Sequence, residues 1–217
     1  MCTAIAITGF TRGVGRTSLT TELAKIYATL GKRVLVIDTD GNGDLGRRLE
    51  VPLPTTPYTI GLCDAMVSRV DPNLLVEKTA VPNLSVLGAG DHLGEIDDAF
   101  MDRLEDMPKA AQRAVDALRP NFDVLLLDTP ADCGAPATLL APAAADVSLA
   151  LAPRGNYGLQ PAPEELQDTR IIRQEGINSR LEFAGTVIVE PGPGGRGVSS
   201  KTVAEALAKL GRFIDSN

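Results

Sequence analysis

The sequence predicts an α/β protein built on a doubly wound, mostly parallel β-sheet flanked by helices, and three observations carry that expectation. Short apolar runs alternate with longer segments of helical period along the whole chain. The runs are continuously apolar instead of alternating, as strands buried on both faces are. Polar, glycine-bearing turns follow several of them, and open α/β sheets gather their ligands beyond the carboxyl ends of the strands. No repeat or dividing linker interrupts the rhythm, so residues 1–217 read as one domain, long enough to bury a continuous core.

Six strands are expected: TAIAIT (3–8), RVLVID (33–38), NLSVLG (83–88), DVLLLD (123–128), VSLALA (147–152) and AGTVIVE (184–190). Helical period covers 17–31, 58–68, 98–118, 135–144, 160–175 and 198–213, which gives the βαβα order of a doubly wound sheet. The Pro/Gly-rich pieces VPLPTTP (51–57) and EPGPGGRG (190–197) read as surface loops. In the last helix Val203, Ala206, Leu207 and Leu210 fall at packing spacing, so it is expected to pack on the core and not to enter a membrane.

Composition narrows the class. The formal charge of −7 excludes a uniformly basic, nucleic-acid-coating surface. The balance is uneven: residues 1–169 hold 14 basic and 23 acidic side chains, residues 170–217 hold 7 and 5. The C-terminal quarter, with Arg170, Arg173, Arg180, Arg196, Lys201, Lys209 and Arg212, is therefore where an anionic partner is sought. Three cysteines without a CxxC pattern point to a reducing cytosol and no zinc site. His92, the single histidine, lies in a polar stretch and reads as a loop residue. No apolar stretch approaches the roughly 18 residues of a membrane span. MCTAIAITGF lacks a basic region ahead of its apolar run, so a cytoplasmic protein is expected.

Three strand ends carry the chemistry. After the first strand, TGFTRGVGRTS has Gly13 and Gly15 where backbone N–H groups approach a polyphosphate, at the start of a helix whose dipole favours anions. Thr17 is placed to offer its hydroxyl to Mg²⁺, with Ser18 beside it near the phosphates, and Arg16 supplies positive charge toward the β- and γ-phosphates. The usual GxxxxGK[ST] spacing fails, because position 10 is Phe, and a ligand-free glycine turn is the competing reading. After the second strand, Asp38 and Asp40 alternate, so one can face the metal shell while the other stands near the γ-phosphate; a solvated turn is the alternative. The strand FDVLLLD ends in Asp128, the pattern of a carboxylate holding a Mg²⁺-bound water.

In order and spacing, TRGVGRTS, VLVIDTDGNGD, LLLDTPAD and APRGNYGLQ resemble the motifs of the ParA/MinD group of deviant Walker P-loop ATPases, approximately KGGVGKTT, LLIDxDPQGN, DxPP and a P…Y segment. The resemblance spans essentially the whole chain and implies a ParA-like P-loop fold with ATP and Mg²⁺ as cofactors. It implies that Gly13, Val14, Gly15, Arg16 and Thr17 cradle the phosphates and that Thr17 binds Mg²⁺. By the same resemblance Asp40 orients the attacking water, Asp38 and Asp128 support the metal through its water shell, and the loop containing Pro191 surrounds the adenine. Members of the group form a homodimer on ATP binding, bind DNA nonspecifically, and release it when an adaptor protein stimulates hydrolysis. The implied function is a switch that positions DNA or a large cytosolic cargo.

The departures concern charge. The family's signature lysine is Thr11 here, the next glycine is Arg12, and the loop lysine is Arg16. A guanidinium is bulkier and more fixed in direction than an ammonium. Arg12 and Arg154 stand equally as candidates for the charge that reaches across a dimer, and Arg16 can bind phosphate bidentately. Slow ATP hydrolysis is one expectation, and a pseudo-ATPase scaffold that binds nucleotide without turnover is the alternative. A dethiobiotin-synthetase-like enzyme is a third reading, and the substrate-binding lysines it expects near the loop are not visible.

Overall fold

The computed structural model describes residues 2–9, 11–40, 44–49, 51, 60–90, 106–130, 139–154, 169–170, 172–190, 192 and 197–214. Its elements run β1 (Thr3–Thr8), α1 (Arg16–Thr29), β2 (Val34–Asp38), α2 (Asp44–Arg48), α3 (Leu62–Val67), β3 (Glu77–Lys78), β4 (Leu84–Leu87), α4 (Asp106–Leu118), β5 (Val124–Asp128), α5 (Leu140–Ala144), β6 (Val147–Pro153), β7 (Glu182–Val189) and α6 (Ser200–Ile214). The strands form one sheet in the order β3-β4-β2-β5-β1-β6-β7, parallel throughout except for β3.

Strand composition explains why helices cover both faces. Along β5, Val124 and Leu126 enter one core while Leu125 and Leu127 enter the other. In β1, Ile5 and Ile7 face the side carrying α1, α2 and α6, and the smaller Ala4 and Ala6 face α3, α4 and α5. All eight of these side chains are essentially inaccessible to water. Burial on this scale is the main stabilising term of such a fold. β1 lies between β5 and β6, so its carboxyl end opens at the middle of the sheet with neighbours on both sides.

All six expected strands are present, within two residues of their expected ends. β3 is additional: two exposed residues, Glu77 and Lys78, pair antiparallel with Val86 and Ser85. Charged side chains suit such an edge, because they discourage further strand pairing. Helix α2 was not expected either. The 160–175 helix is seen only at residues 169–170 and 172–174, and residues 98–105 and 135–138 of two other expected helices lie outside the described residues. The final helix packs as anticipated, with Val203, Ala206 and Leu210 buried. No helix among the described residues is long and apolar enough to cross a membrane.

Leu126 tests the central strand. It sits between β1 and β2, fully buried. Leu126→Ala is expected to cost about 2–5 kcal/mol in urea-induced unfolding, whereas Leu74→Ala, at a 79% exposed position, is expected to change stability by less than about 0.5 kcal/mol.

Candidate functional site

The carboxyl ends of β1, β2 and β5 meet at one place. Asp38 and Asp128 are direct partners in the β2–β5 ladder, so both side chains leave the strand ends on the same face of the sheet. Both are buried, 2% and 1% exposed. The main chain there is tied down by hydroxyls as well as by the ladder. Thr39 donates its N–H (3.1 Å) and its hydroxyl (2.6 Å) to the Asp128 carbonyl, and Thr129 donates its hydroxyl to the Ile7 carbonyl (2.8 Å). The N–H of Asp40 donates to Asp38 Oδ1 at 2.9 Å, which turns the chain out of β2 and leaves Asp40 half-buried at the rim.

Above these strand ends the loop after β1 enters α1. Gly13 and Gly15 both take the left-handed conformation, φ 71° and 101°, which glycine adopts without steric cost. A Cβ on Gly13 would meet nothing within 4 Å, so this part of the loop is open, while one on Gly15 would come within 2.9 Å of Val198. Gly15 is the N-cap of α1, and neither a capping side chain nor an acidic residue occupies the first turn. Such a helix start presents N–H groups and a positive dipole end to an anion. The segment from Thr11 to Gly13 is exposed, Val14 is buried, and Thr17 is half-buried.

Two residues of α1 reach down to Asp128. Thr20, fully buried, donates its hydroxyl to Asp128 Oδ1 at 3.1 Å, and the Thr17 hydroxyl lies near enough to favour the charged form of this carboxylate. Burial pushes the Asp128 carboxyl up from 3.8 to about 6, and the Asp40 charge adds to the rise. The two hydroxyls and the Arg16 guanidinium pull the other way. The donor set, two carboxylates and a hydroxyl below an open glycine loop, is the all-oxygen chemistry of a hard divalent cation next to a phosphate. A magnesium nucleotide fits it.

The cations are placed less as the sequence suggested. Arg16 is 5% exposed, and its Nη1 donates to the carbonyl of Gly9 across the loop. Gly9 is a glycine for a visible reason, because a Cβ there would sit 2.7 Å from the Leu151 carbonyl of β6. Arg12 is exposed on the loop. Arg154, at the end of β6, is 75% exposed and its Nη1 pairs with Glu190 at 3.1 Å; the Lys201 ammonium takes the same Glu190 oxygen at 2.9 Å. Ser18 is buried in the first turn of α1. Pro191 and His92 lie outside the described residues.

The C-terminal basic residues do not share one end of the molecule. Arg180 precedes β7 at the amino end of the sheet, beside Asp116 (3.8 Å). Arg212 adjoins Phe213, whose carbonyl accepts from Thr3 at that same end. Lys201 lies at the nucleotide end. Lys209 pairs with Glu205 at 3.6 Å; Arg170 and Arg173 are exposed, and Arg196 is outside the described residues. Sequence reasoning missed Gly9, Thr20 and Thr39. Only the run of hydroxyls in RTSLTT hinted at Thr20.

Fold and site together define a P-loop protein of the doubly wound class. The family model that describes an AAA domain, AAA_31, matches residues 2–183, and the chain belongs to this family, within the ParA/MinD group of P-loop ATPases. It is 27% identical to the sporulation initiation inhibitor protein Soj of Bacillus subtilis over 85% of this chain and 71% of that protein. It is 29% identical to the chromosome-partitioning ATPase Soj of Thermus thermophilus over 85% of this chain and 68% of that protein. Among solved structures it resembles cobyrinic acid a,c-diamide synthase of Mycobacterium smegmatis with a bound ATP analogue and magnesium (TM-score 0.78, 19% identity, 98% of this chain and 80% of that one).

Asp128 gives the site a pH signature. In metal-free, nucleotide-free protein the folded state holds this proton up to about pH 6, whereas the unfolded chain releases it near 3.8. Its contribution therefore falls as pH rises between those values, by roughly 2–3 kcal/mol once both states are ionised. Urea unfolding in EDTA from pH 4.5 to 7.5 is expected to show the wild type losing stability relative to Asp128→Asn; parallel curves would contradict the assignment.

Proposed function

We propose that this chain binds Mg²⁺·ATP in the loop after β1 and works as a ParA-type switch. ATP binding closes two copies into a homodimer, an adaptor protein stimulates slow hydrolysis, and the cycle positions DNA or another large cytosolic cargo. The observation that carries the reading is the convergence of Asp38, Asp128 and Thr17 beneath an open glycine loop at an uncapped helix start. The relatives support it: the Thermus thermophilus protein is a chromosome-partitioning ATPase, and the Mycobacterium smegmatis enzyme holds an ATP analogue with magnesium.

In this reading the N–H groups from Gly13 to Ser18 cradle the phosphates, and Thr17 holds the magnesium, which supplies charge neutralisation at the transferring phosphate. Asp38 and Asp128 orient the metal's waters. Asp40, at the rim, orients the attacking water. Arg16 leaves the Gly9 carbonyl for the β- and γ-phosphates, and Arg12 or Arg154 supplies the cross-dimer charge. Pro191 and its loop flank the adenine. DNA binding at the nucleotide end uses Lys201 of the C-terminal basic residues, since Arg180 and Arg212 lie at the other end.

One observation favours the pseudo-ATPase reading. The Arg16 side chain already has a partner in the loop, so phosphate has to compete with the Gly9 carbonyl for it. Calorimetry and phosphate release separate the two. The switch reading expects Mg²⁺·ATP binding and measurable turnover that rises with the adaptor. Asp40→Ala is expected to keep affinity within about threefold while lowering turnover about a hundredfold or more, the scale of one lost transition-state contact. Arg16→Ala is expected to weaken ATP binding about tenfold or more, the loss of a charge-assisted contact. Binding without turnover, with the adaptor present, would establish the scaffold reading; no binding would overturn both.

A further inference from the structure

Helix α1 contains three threonines whose hydroxyls can be followed. Thr21 donates back to the Thr17 carbonyl at 2.7 Å, and Thr29 donates back to the Lys25 carbonyl at 2.8 Å. That i−4 bond is the default for a threonine inside a helix. Thr20 departs from it, sending its hydroxyl out of the helix to Asp128 Oδ1 at 3.1 Å. The contact lies in the interior, with Thr20 0% and Asp128 1% exposed. An apolar side chain of similar volume would fill the same space without a hydroxyl to satisfy. Threonine is also a poorer helix former than leucine or alanine.

The surroundings leave that hydroxyl a definite task. The peptide of Asp128 is already pinned by both donors of Thr39 and by strand pairing on either side. Rotation of the carboxyl group is the freedom that remains, and the bond from Thr20 removes it. Thr17 stands one helical turn earlier on the same face, near this carboxylate. With Oδ1 held by Thr20, Oδ2 is the oxygen left for the water shell of a magnesium held by Thr17.

We propose that Thr20 is a positioning residue for magnesium, setting the orientation of Asp128 without touching the metal or the nucleotide. The proposal rests on the Mg²⁺·ATP reading above. Partners that orient a metal's ligands are typically worth about 10- to 100-fold in metal affinity.

The test compares wild type, Thr20→Val and Thr20→Ser, using Mn²⁺ as a paramagnetic probe titrated into each protein with saturating ADP. ADP binding in EDTA and thermal melting are measured alongside. Thr20→Val, which keeps the shape and loses the hydroxyl, is expected to bind Mn²⁺ about tenfold more weakly. Its ADP affinity in EDTA should stay within about twofold, because phosphate contacts to the loop are unchanged. Thr20→Ser restores the hydroxyl and is expected to return Mn²⁺ affinity to within about threefold of wild type, even where its lost methyl lowers the melting point. Equal Mn²⁺ affinity in wild type and Thr20→Val overturns the proposal and leaves the nucleotide reading standing. A parallel loss of ADP affinity in EDTA, or failure of serine to rescue, assigns Thr20 to packing and also overturns it. If wild type binds no Mn²⁺ with ADP, the nucleotide reading falls and takes the proposal with it.

Discussion

A carboxylate at the end of a central strand, with no access to water, requires partners from whatever packs over it, and the contact between Asp128 and helix α1 is the constraint on which this site depends. Burial makes an unpaired charge costly, so Asp128 is tolerable only with donors aimed at it. α1 provides the Thr20 donor and brings the Thr17 hydroxyl near. The Thr20 bond, with the apolar packing of Leu19 and Leu23, holds the helix on the sheet. Since α1 begins at Gly15, these contacts also fix where the glycine loop sits above the ends of β1, β2 and β5.

Much of this was readable in the chain because parallel strands buried on both faces leave an unbroken apolar signature. VLLLD and AIAI could be nothing that faces water, and the acids ending those runs fell where ligands collect. The register that makes Asp38 and Asp128 direct partners was not readable, because strand order in the sheet departs from order in the chain. Nor was β3, two charged residues whose pairing depends entirely on the neighbouring strand. Thr20 was hidden for a related reason. Its hydroxyl looks like any other in RTSLTT until the packing of α1 selects it and leaves Thr21 bonded to its own helix.

The arginines show where residue type alone is insufficient. Sequence placed Arg16, Arg12 and Arg154 together as substitutes for missing ammonium groups. In three dimensions they have different circumstances: Arg16 spans the loop to Gly9, Arg12 is exposed on the loop, and Arg154 pairs with Glu190 beside Lys201. A guanidinium has five donors, enough to hold a carbonyl in one state and a phosphate in another. In the proposed function, binding depends on Arg16 exchanging the Gly9 carbonyl for phosphate.

A crystal structure grown with Mg²⁺ and an uncleavable ATP analogue tests this account most directly. It predicts a triphosphate lying over the N–H groups from Gly13 to Ser18, Arg16 turned from the Gly9 carbonyl onto phosphate oxygens, and the metal between Thr17 and waters held by Asp38 and Asp128. A loop that holds no triphosphate under those conditions, with Arg16 still bonded to Gly9, would contradict it.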